Sequence, residues 1–319
     1  MTLTSPQWIS DLPPLGFGCC PMGGHGWGRV DEQELIQAVA TALDLGVRLF
    51  DTSDIYGLGA SETLLGRTLR GRRDEAVIAT KFGVRYQRDH SYYDTSIGWI
   101  KSAIEGSLHR LGVDTIDLYQ MHNWDHKTPL DDIVALLESF VAAGKIRAYG
   151  FTNHNPFDPA FRTHATAPAT FSFHYSLVHR EYESIIFNAQ RQDGLVFLSW
   201  GSLGQGVLSG KYDSLSQLEP NDRRQREVYH NFHGEKFVCV QHILAEMRAI
   251  AREAGIPSLT QLALRWIIEH IPRAKPLVGI KRPAQIIDAA GVLEIRLEPR
   301  TCARLDALTH QFIDLHESE

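Results

Sequence analysis

The feature that most constrains the fold of this chain is a repeated alternation of short apolar runs with longer amphipathic segments. Eight runs (LGFG, VRLFD, AVIATK, IDLYQMH, IRAYGF, ATFSF, LVFLSW and PLVG) end near Gly18, Asp51, Lys81, His122, Phe151, Phe173, Trp200 and Gly279. They are continuous rather than alternating, as expected of strands covered by helices on one face and by a packed interior on the other. Between them, Asp31 with Glu34 supplies an N-terminal cap, Leu35, Val39, Ala42 and Leu43 share a face, and Gly46 stops the helix. Ser96 opens a second helix with Ile97, Ile100, Ile104, Leu108 and Leu111 in register, and Gly112 ends it. Ile133, Leu136, Leu137, Phe140 and Val141 repeat the pattern before Gly144. Strands and helices alternating in this way predict an α/β protein, a (β/α)8 TIM barrel in a single domain. A doubly wound open sheet shares the same periodicities and is the alternative.

A chain of 319 residues suits one such barrel. The expected division is a lead-in over 1–14, a barrel over 15–295, and a C-terminal helix and tail over 296–319, with the helix around Cys302 to Leu315. At 43% hydrophobic and 22% charged residues the composition excludes a disordered or fibrous chain. No apolar run reaches the ~20 residues of a membrane helix, so no membrane partner is expected. The N-terminus lacks a basic region followed by an apolar one, which argues against a signal peptide and for the cytoplasm. A net charge of −6 without a long basic stretch argues against nucleic acid. Cys19, Cys20, Cys239 and Cys302 form no disulfide framework. Oligomeric state is not specified.

The familiar local motifs fail. GxGxxG is broken at its last position in Gly16–Pro21, Gly57–Glu62 and Gly204–Ser209. There is no P-loop, GxSxG or HExxH. His230 and His233 share a helix face if that segment is helical, but nothing is spaced to complete a metal site, and none is expected. The long irregular stretch from Gly201 to about Gly234 carries Arg223, Arg224 and Arg226, read either as a phosphate clamp or as a solvated face.

The distinctive chemistry lies at the strand ends. Asp51, Lys81 and His122 close three successive runs, and Tyr56 follows Asp51 by five residues. In a β/α barrel the C-terminal strand ends surround one mouth, so these four side chains are expected to converge. Clustered ionisable groups there point to catalysis.

With these residues in view the chain resembles the aldo-keto reductases. FDTSDIYGLGASETLLG, IATKFG and DLYQMHNWD are similar to the segments that carry the family's catalytic aspartate and tyrosine, lysine and histidine. AYGFTNH, LSWGSLGQGVLSGKY and VGIKRPAQIIDA resemble its cofactor segments, so the likeness runs in order from about residue 15 to 290. It implies that NADP(H) (NADPH/NADP+) binds at the mouth, with Asp51, Tyr56, Lys81 and His122 as the catalytic tetrad. Cofactor contacts are implied for Gly18, Cys19, Thr152, Asn153, Ser172, Trp200, Gly201, Ser202, Leu203, Gln205, Gly206 and Gly279. Lys281 and Arg282 are implied to meet the 2′-phosphate, and Gln285 and Asp288 the adenosine.

The chemistry fits carbonyl reduction. Tyrosine, with an ordinary pKa of about 10, needs help as an acid, and Lys81 beside its hydroxyl is expected to lower it. Asp51 orients Lys81, and a ring N–H of His122 stabilises the substrate oxygen. Departures from the family pattern fall on specificity. Ser172 stands for a glutamine, with His174 a candidate to compensate; Gly201–Ser202 replaces Ser–Pro, Ala289 an asparagine, and Cys20 an aromatic residue. Cys20, Trp27 and Trp124 are the candidate substrate contacts. The expected activity is NADPH-dependent reduction of an aldehyde or ketone to the alcohol, with a sugar or sugar-derived compound as a candidate substrate. An NAD(P)-dependent sugar or pyridoxine-type alcohol dehydrogenase and an NADPH-binding regulatory or redox-sensing subunit are the alternatives. The partner is a small-molecule carbonyl or alcohol.

Overall fold

The computed structural model describes residues 4–163, 167–193 and 195–310. Among these described residues ten strands run in order: β1 (Gly16–Gly18), β2 (Leu49–Asp51), β3 (Val77–Phe82), β4 (Val84–Gln87), β5 (His90–Tyr93), β6 (Ile116–Met121), β7 (Ile146–Thr152), β8 (Thr170–His174), β9 (Val196–Trp200) and β10 (Ala274–Gly279). The first helices are α1 (Gln7–Ser10), α2 (Glu32–Asp44), α3 (Ala60–Thr68), α4 (Ile97–Leu111), α5 (Leu130–Ala142) and α6 (Ala160–Thr163). The remainder are α7 (Glu183–Asp193), α8 (Gly234–Glu253), α9 (Leu259–His270), α10 (Pro283–Ala290) and α11 (Pro299–Thr309). Eight parallel strands close a barrel in the order β1-β10-β9-β8-β7-β6-β3-β2, which eliminates the open sheet. Strands β4 and β5 form a hairpin above the mouth end of β3.

Local chemistry explains the helix limits. The Asp31 carboxylate accepts from the backbone N–H groups of Gln33 and Glu34 at 2.9 and 3.1 Å, and the chain leaves α2 through Gly46 at φ +82°. Ser96 caps α4, and Gly112 adopts the left-handed conformation that ends it. Between strands and helices lies one continuous apolar layer, in which residues such as Phe50, Ile104, Leu137 and Trp266 are fully enclosed. Burying each such side chain stabilises the fold by roughly 1.5–3 kcal/mol.

Inside the barrel, at the end opposite the mouth, Leu49, Ala79, Leu118, Ala148, Leu198 and Leu277 pack against Ile9 of α1. Buried Lys275 of β10 donates to the carbonyls of Ser10 and Leu12, at 3.2 and 2.5 Å, and so ties this plug to the wall. The residues expected as a lead-in therefore help to close the floor. The C-terminal helix is α11; the part of the expected helix and tail beyond His310 lies outside the described residues. Among the described residues no helix is long and apolar enough to cross a membrane.

The stretch after β9 is neither a free loop nor a regular helix. It folds through short 3-10 turns at Gly204–Ser209, Leu215–Gln217, Arg223–Gln225 and His230–Phe232 before α8. His230 and His233 therefore do not share a helix, and His233 Nε2 contacts the Arg224 carbonyl at 2.9 Å. No group of three or more potential metal ligands occurs among the described residues.

Candidate active site

The barrel brings the four polar strand-end residues together. Asp51 ends β2, Lys81 lies next to last in β3, His122 follows β6, and Tyr56 sits in the turn between β2 and α3. Lys81 Nζ donates to Asp51 Oδ1 at 2.5 Å and to the Thr52 carbonyl at 2.8 Å. Gln120 Nε2 donates to the other Asp51 oxygen at 3.1 Å. Asp51 and Lys81 are each 4% exposed, so the pair is a buried one. Lys81 Nζ stands 5.4 Å from the centre of the Tyr56 ring, and the Tyr56 and His122 rings meet nearly at right angles, 6.0 Å apart. The Tyr56 turn is fixed by a close backbone approach: at Gly57, with φ +61°, a Cβ would stand 2.2 Å from the Gly23 carbonyl oxygen.

Electrostatics correct one expectation. Burial raises the Tyr56 hydroxyl well above the ordinary tyrosine pKa, and Cys20, Asp51 and Cys19 push in the same direction. Lys81 does not reverse this; its two hydrogen bonds above go to Asp51 and Thr52, and the guanidinium of Arg223 is the opposing charge. Tyr56 is therefore a neutral phenol at physiological pH. Burial, and then the Lys81 charge, lower His122 to about 3, so its imidazole is also neutral. His122 Nδ1 lies 3.3 Å from Ser53 Oγ.

The remaining mouth residues surround this centre. Thr152 Oγ1, at the end of β7, is buried with no hydrogen-bond partner, which leaves a hydroxyl available to a ligand. Asn153 (φ +54°) accepts from the Trp200 indole at 3.1 Å. Ser172 is buried at the level of Thr152 on the next strand. His174 does not turn toward it. Its ring stacks on Trp200 with centroids 4.3 Å apart, and its Nε2 receives the Gln205 amide at 2.9 Å. Asn231 Nδ2 donates to the other end of Gln205 at 3.1 Å. Burial first, then His179 and Lys236, drive the His174 pKa down, which suits its role as acceptor.

Gly201, Gly204, Gln205 and Gly206 all have positive φ, giving a tightly curled backbone after β9 beside Leu203. Close approach also constrains Gly201, where a Cβ would stand 2.5 Å from the His174 ring. The Ser202 hydroxyl is spent internally on Ser199. Gly18 ends β1 beside Gly279, which is exposed, whereas the Cys19 side chain is fully enclosed.

At the far side, Arg282 precedes α10 as its N-cap, 61% exposed and 3.9 Å from Glu34. Lys281 reaches the Trp27 carbonyl, and its backbone N–H donates to Gln285 Oε1 at 2.8 Å. Its pKa is lowered by burial and then by the neighbouring cations Arg224 and Lys211. A helix N-terminus flanked by crowded cations fits an anionic phosphate group. Asp288 receives the Gln261 amide from α9 through its carbonyl and Oδ1, at 2.9 and 3.3 Å, and Ala289 is fully buried.

The arginine stretch is neither a bare clamp nor a solvated face. Arg224 is buried in a two-pronged pair with Asp222 and also donates to the Gln205 carbonyl. Arg223 lies over the Trp27 ring at 5.0 Å and donates to the His25 carbonyl. The Trp27 indole N–H reaches Cys20 Sγ at 3.2 Å, and that of Trp124 is taken by the Thr128 carbonyl at 2.9 Å. Both indole donors are therefore occupied, and the rings are packed as well, that of Trp27 under Arg223 and Arg224 and that of Trp124 against His126 at 4.4 Å.

A closed parallel barrel with an acid–lysine pair, a phenol and a neutral imidazole at one mouth defines a barrel enzyme with proton-handling groups at its strand ends. The chain belongs to the aldo/keto reductase family, whose family model matches residues 14–310. It is an oxidoreductase of that class, acting on carbonyl or alcohol groups. It is 32% identical over 300 residues to the NADP(+)-designated aldo-keto reductase yakc of Schizosaccharomyces pombe, covering 91% of this chain and 86% of that one. To the aldo-keto reductase YhdN of Bacillus subtilis it is 30% identical over 275 residues, 85% of this chain and 82% of that one. It superposes on the glycerol dehydrogenase of Gluconobacter oxydans with a TM-score of 0.86 at 29% identity, covering 98% and 96% of the two chains.

Proposed function

We propose that the protein is an NADPH-dependent reductase of aldehydes or ketones in which Tyr56 delivers the proton. The observation that carries this reading is the cluster itself: a half-buried, protonated phenol beside a buried lysine held by Asp51, facing a neutral imidazole. The NADP(+) designation of the Schizosaccharomyces pombe relative supports the choice of cofactor, as do Lys281 and Arg282. Thr152, Asn153 and Trp200 would hold the nicotinamide end, the backbone of Gly201–Gly206 the phosphates, and Lys281 with Arg282 the 2′-phosphate. When bound, the cofactor supplies hydride to the carbonyl carbon.

The residues of the chain do the rest. A neutral His122 donates one ring N–H to the carbonyl oxygen and so fixes its direction. As negative charge grows on that oxygen, Tyr56 passes it a proton; an alkoxide is far more basic than a phenolate, so the transfer runs downhill despite the raised pKa. Lys81, 5.4 Å from the ring centre, offsets the phenolate charge that results. Asp51 and the Thr52 carbonyl hold the ammonium in place. Trp27 and Trp124, in the loops after β1 and β6, would line the substrate side of the mouth, which suits a sugar-like compound.

A second reading, alcohol oxidation by the same groups in reverse, is favoured by the likeness to a glycerol dehydrogenase. A panel of aldehydes, keto-sugars, aldoses and polyols, assayed with NADPH and NADH in both directions, tests both. Faster NADPH-linked reduction than NADP+-linked oxidation supports the first reading. Tight NADPH binding without turnover on any compound would overturn both and leave a binding or sensing role.

A further inference from the structure

We propose that Ser53 and Asp54 are positioning residues that decide which ring nitrogen of His122 carries hydrogen, and so whether the mouth receives a donor or an acceptor. The inference rests on the carbonyl-reductase reading for its consequence, and on geometry for its substance. Ser53 is fully buried, and its Oγ has three neighbours: Asp54 Oδ1 at 3.1 Å, His122 Nδ1 at 3.3 Å and the Ile55 backbone N–H at 3.4 Å. A hydroxyl has one hydrogen and two acceptor sites. Ile55 occupies one acceptor site, so Asp54 and His122 must divide the hydrogen and the other site between them.

Two arrangements turn on what Asp54 Oδ1, the oxygen that faces Ser53, does: it accepts, or it carries the proton. With Asp54 ionised, Ser53 donates to the carboxylate and accepts from Nδ1–H, so Nε2 is bare and can only accept. With Asp54 protonated, its O–H donates to Ser53 and the Ser53 hydrogen turns to Nδ1, so the ring hydrogen sits on Nε2. The imidazole is neutral in both, and the two arrangements differ by one proton. That proton enters at Nε2, Nδ1–H moves to Ser53 Oγ, and the Ser53 hydrogen moves to Asp54. Only the protonated arrangement offers a donor to a carbonyl oxygen.

Surrounding charges put this choice within physiological range. Burial, and then the Glu62 carboxylate of α3, raise Asp54 to about 7; Arg110 of α4 and the contacts with Ser53 and Ile55 oppose the rise. Glu62 is itself fully buried, held by Thr80 at 2.6 Å and by Arg110 at 2.7 Å. Tyr119 of β6 faces the same group as a neutral phenol whose hydroxyl has no partner. On the His122 side the facing groups are Lys81 of β3 and the Tyr56 ring.

The test uses nitrogen NMR of the full chain labelled in histidine, with His122→Asn to identify the signal. In the native protein Nδ1 is expected to change from unprotonated to protonated as pH rises through about 7. In Asp54→Asn the amide has no proton to gain or lose, so whichever end faces Ser53 the state of Nδ1 stays the same across the range; Ser53→Ala abolishes the transition by a different route. With glyceraldehyde and NADPH, kcat/KM of the native protein should fall roughly tenfold per pH unit above that point, and Asp54→Asn should stay flat. An unchanged tautomer in the native protein, or a native-like transition in either variant, overturns the proposal. Absence of turnover with a normal tautomer switch would instead count against the reductase reading alone.

Discussion

Lys81 and Asp51 form a 2.5 Å ion pair whose side chains are only 4% and 6% exposed, and Gln120 and Thr52 take up the valences that remain. Removing one partner leaves a charge in a site that water does not reach. Asp51→Asn or Lys81→Met should each cost about 3–5 kcal/mol of stability, while Asp51→Leu with Lys81→Met should recover most of it. Urea denaturation of the three variants checks this. Single variants within about 1 kcal/mol of the native protein would show that the pair is solvated.

His122 and Asp54 make opposite contributions to the pH dependence of stability. His122 is lowered from 6.5 to about 3, so its contribution is present above about 6.5 and is lost as pH falls toward 3. Asp54 is raised from 3.8 to about 7, so its contribution is present below about 4 and is lost as pH rises toward 7. Between about pH 4 and 6.5 the two largely cancel. Asp54→Asn removes one of them, and its stability should rise relative to the native protein by up to ~1.4 kcal/mol per pH unit across that window. Denaturation at several pH values gives the slope, and parallel curves would contradict it.

Arg224 ties the loop after β9 to Asp222, to the Gln205 carbonyl and to the rings of Tyr212 and Trp27. Arg224→Ala leaves Asp222 buried and unpaired, so this segment should open more often without unfolding the barrel. Limited proteolysis should cut between Tyr212 and His230 at least tenfold faster, with the thermal midpoint of the barrel nearly unchanged. Equal cutting rates would mean that other contacts hold the segment.

Arg282 is exposed at the start of α10, with its guanidinium 3.9 Å from Glu34. If it meets the 2′-phosphate, Arg282→Ala should weaken NADPH binding about tenfold and leave NADH unaffected. Titration of tryptophan fluorescence with each nucleotide measures both. An equal loss for the two would place Arg282 on a shared part of the cofactor.

Much of this was legible in the sequence because the barrel exposes chemistry at fixed places. Runs ending at Asp51, Lys81 and Trp200 became strands ending within a residue of those positions, since continuous apolar runs have no stable alternative once helices cover them. Closure of the sheet was not legible, because local periodicity is the same in an open one. Gln120 was missed although it stands two residues before His122, the spacing that returns to one face of a strand. The rise in the Tyr56 pKa depends on the desolvation of the hydroxyl and on Asp51 and the thiols of Cys19 and Cys20 just after β1, which no spacing encodes. For the same reason the sequence left Arg224 between a phosphate clamp and a solvated face: its partner Asp222 is two residues away, but the rings of Trp27, Tyr212 and Phe232 around it come from other segments.

The central claim is that Tyr56 supplies the proton, and single-turnover reduction by Tyr56→Phe tests it most directly. The ring and its packing against His122 remain, and only the hydroxyl is lost. Turnover of the best carbonyl in the panel should fall roughly 10²–10⁴-fold, with NADPH affinity changed less than about twofold. Near-native turnover by Tyr56→Phe would contradict the account.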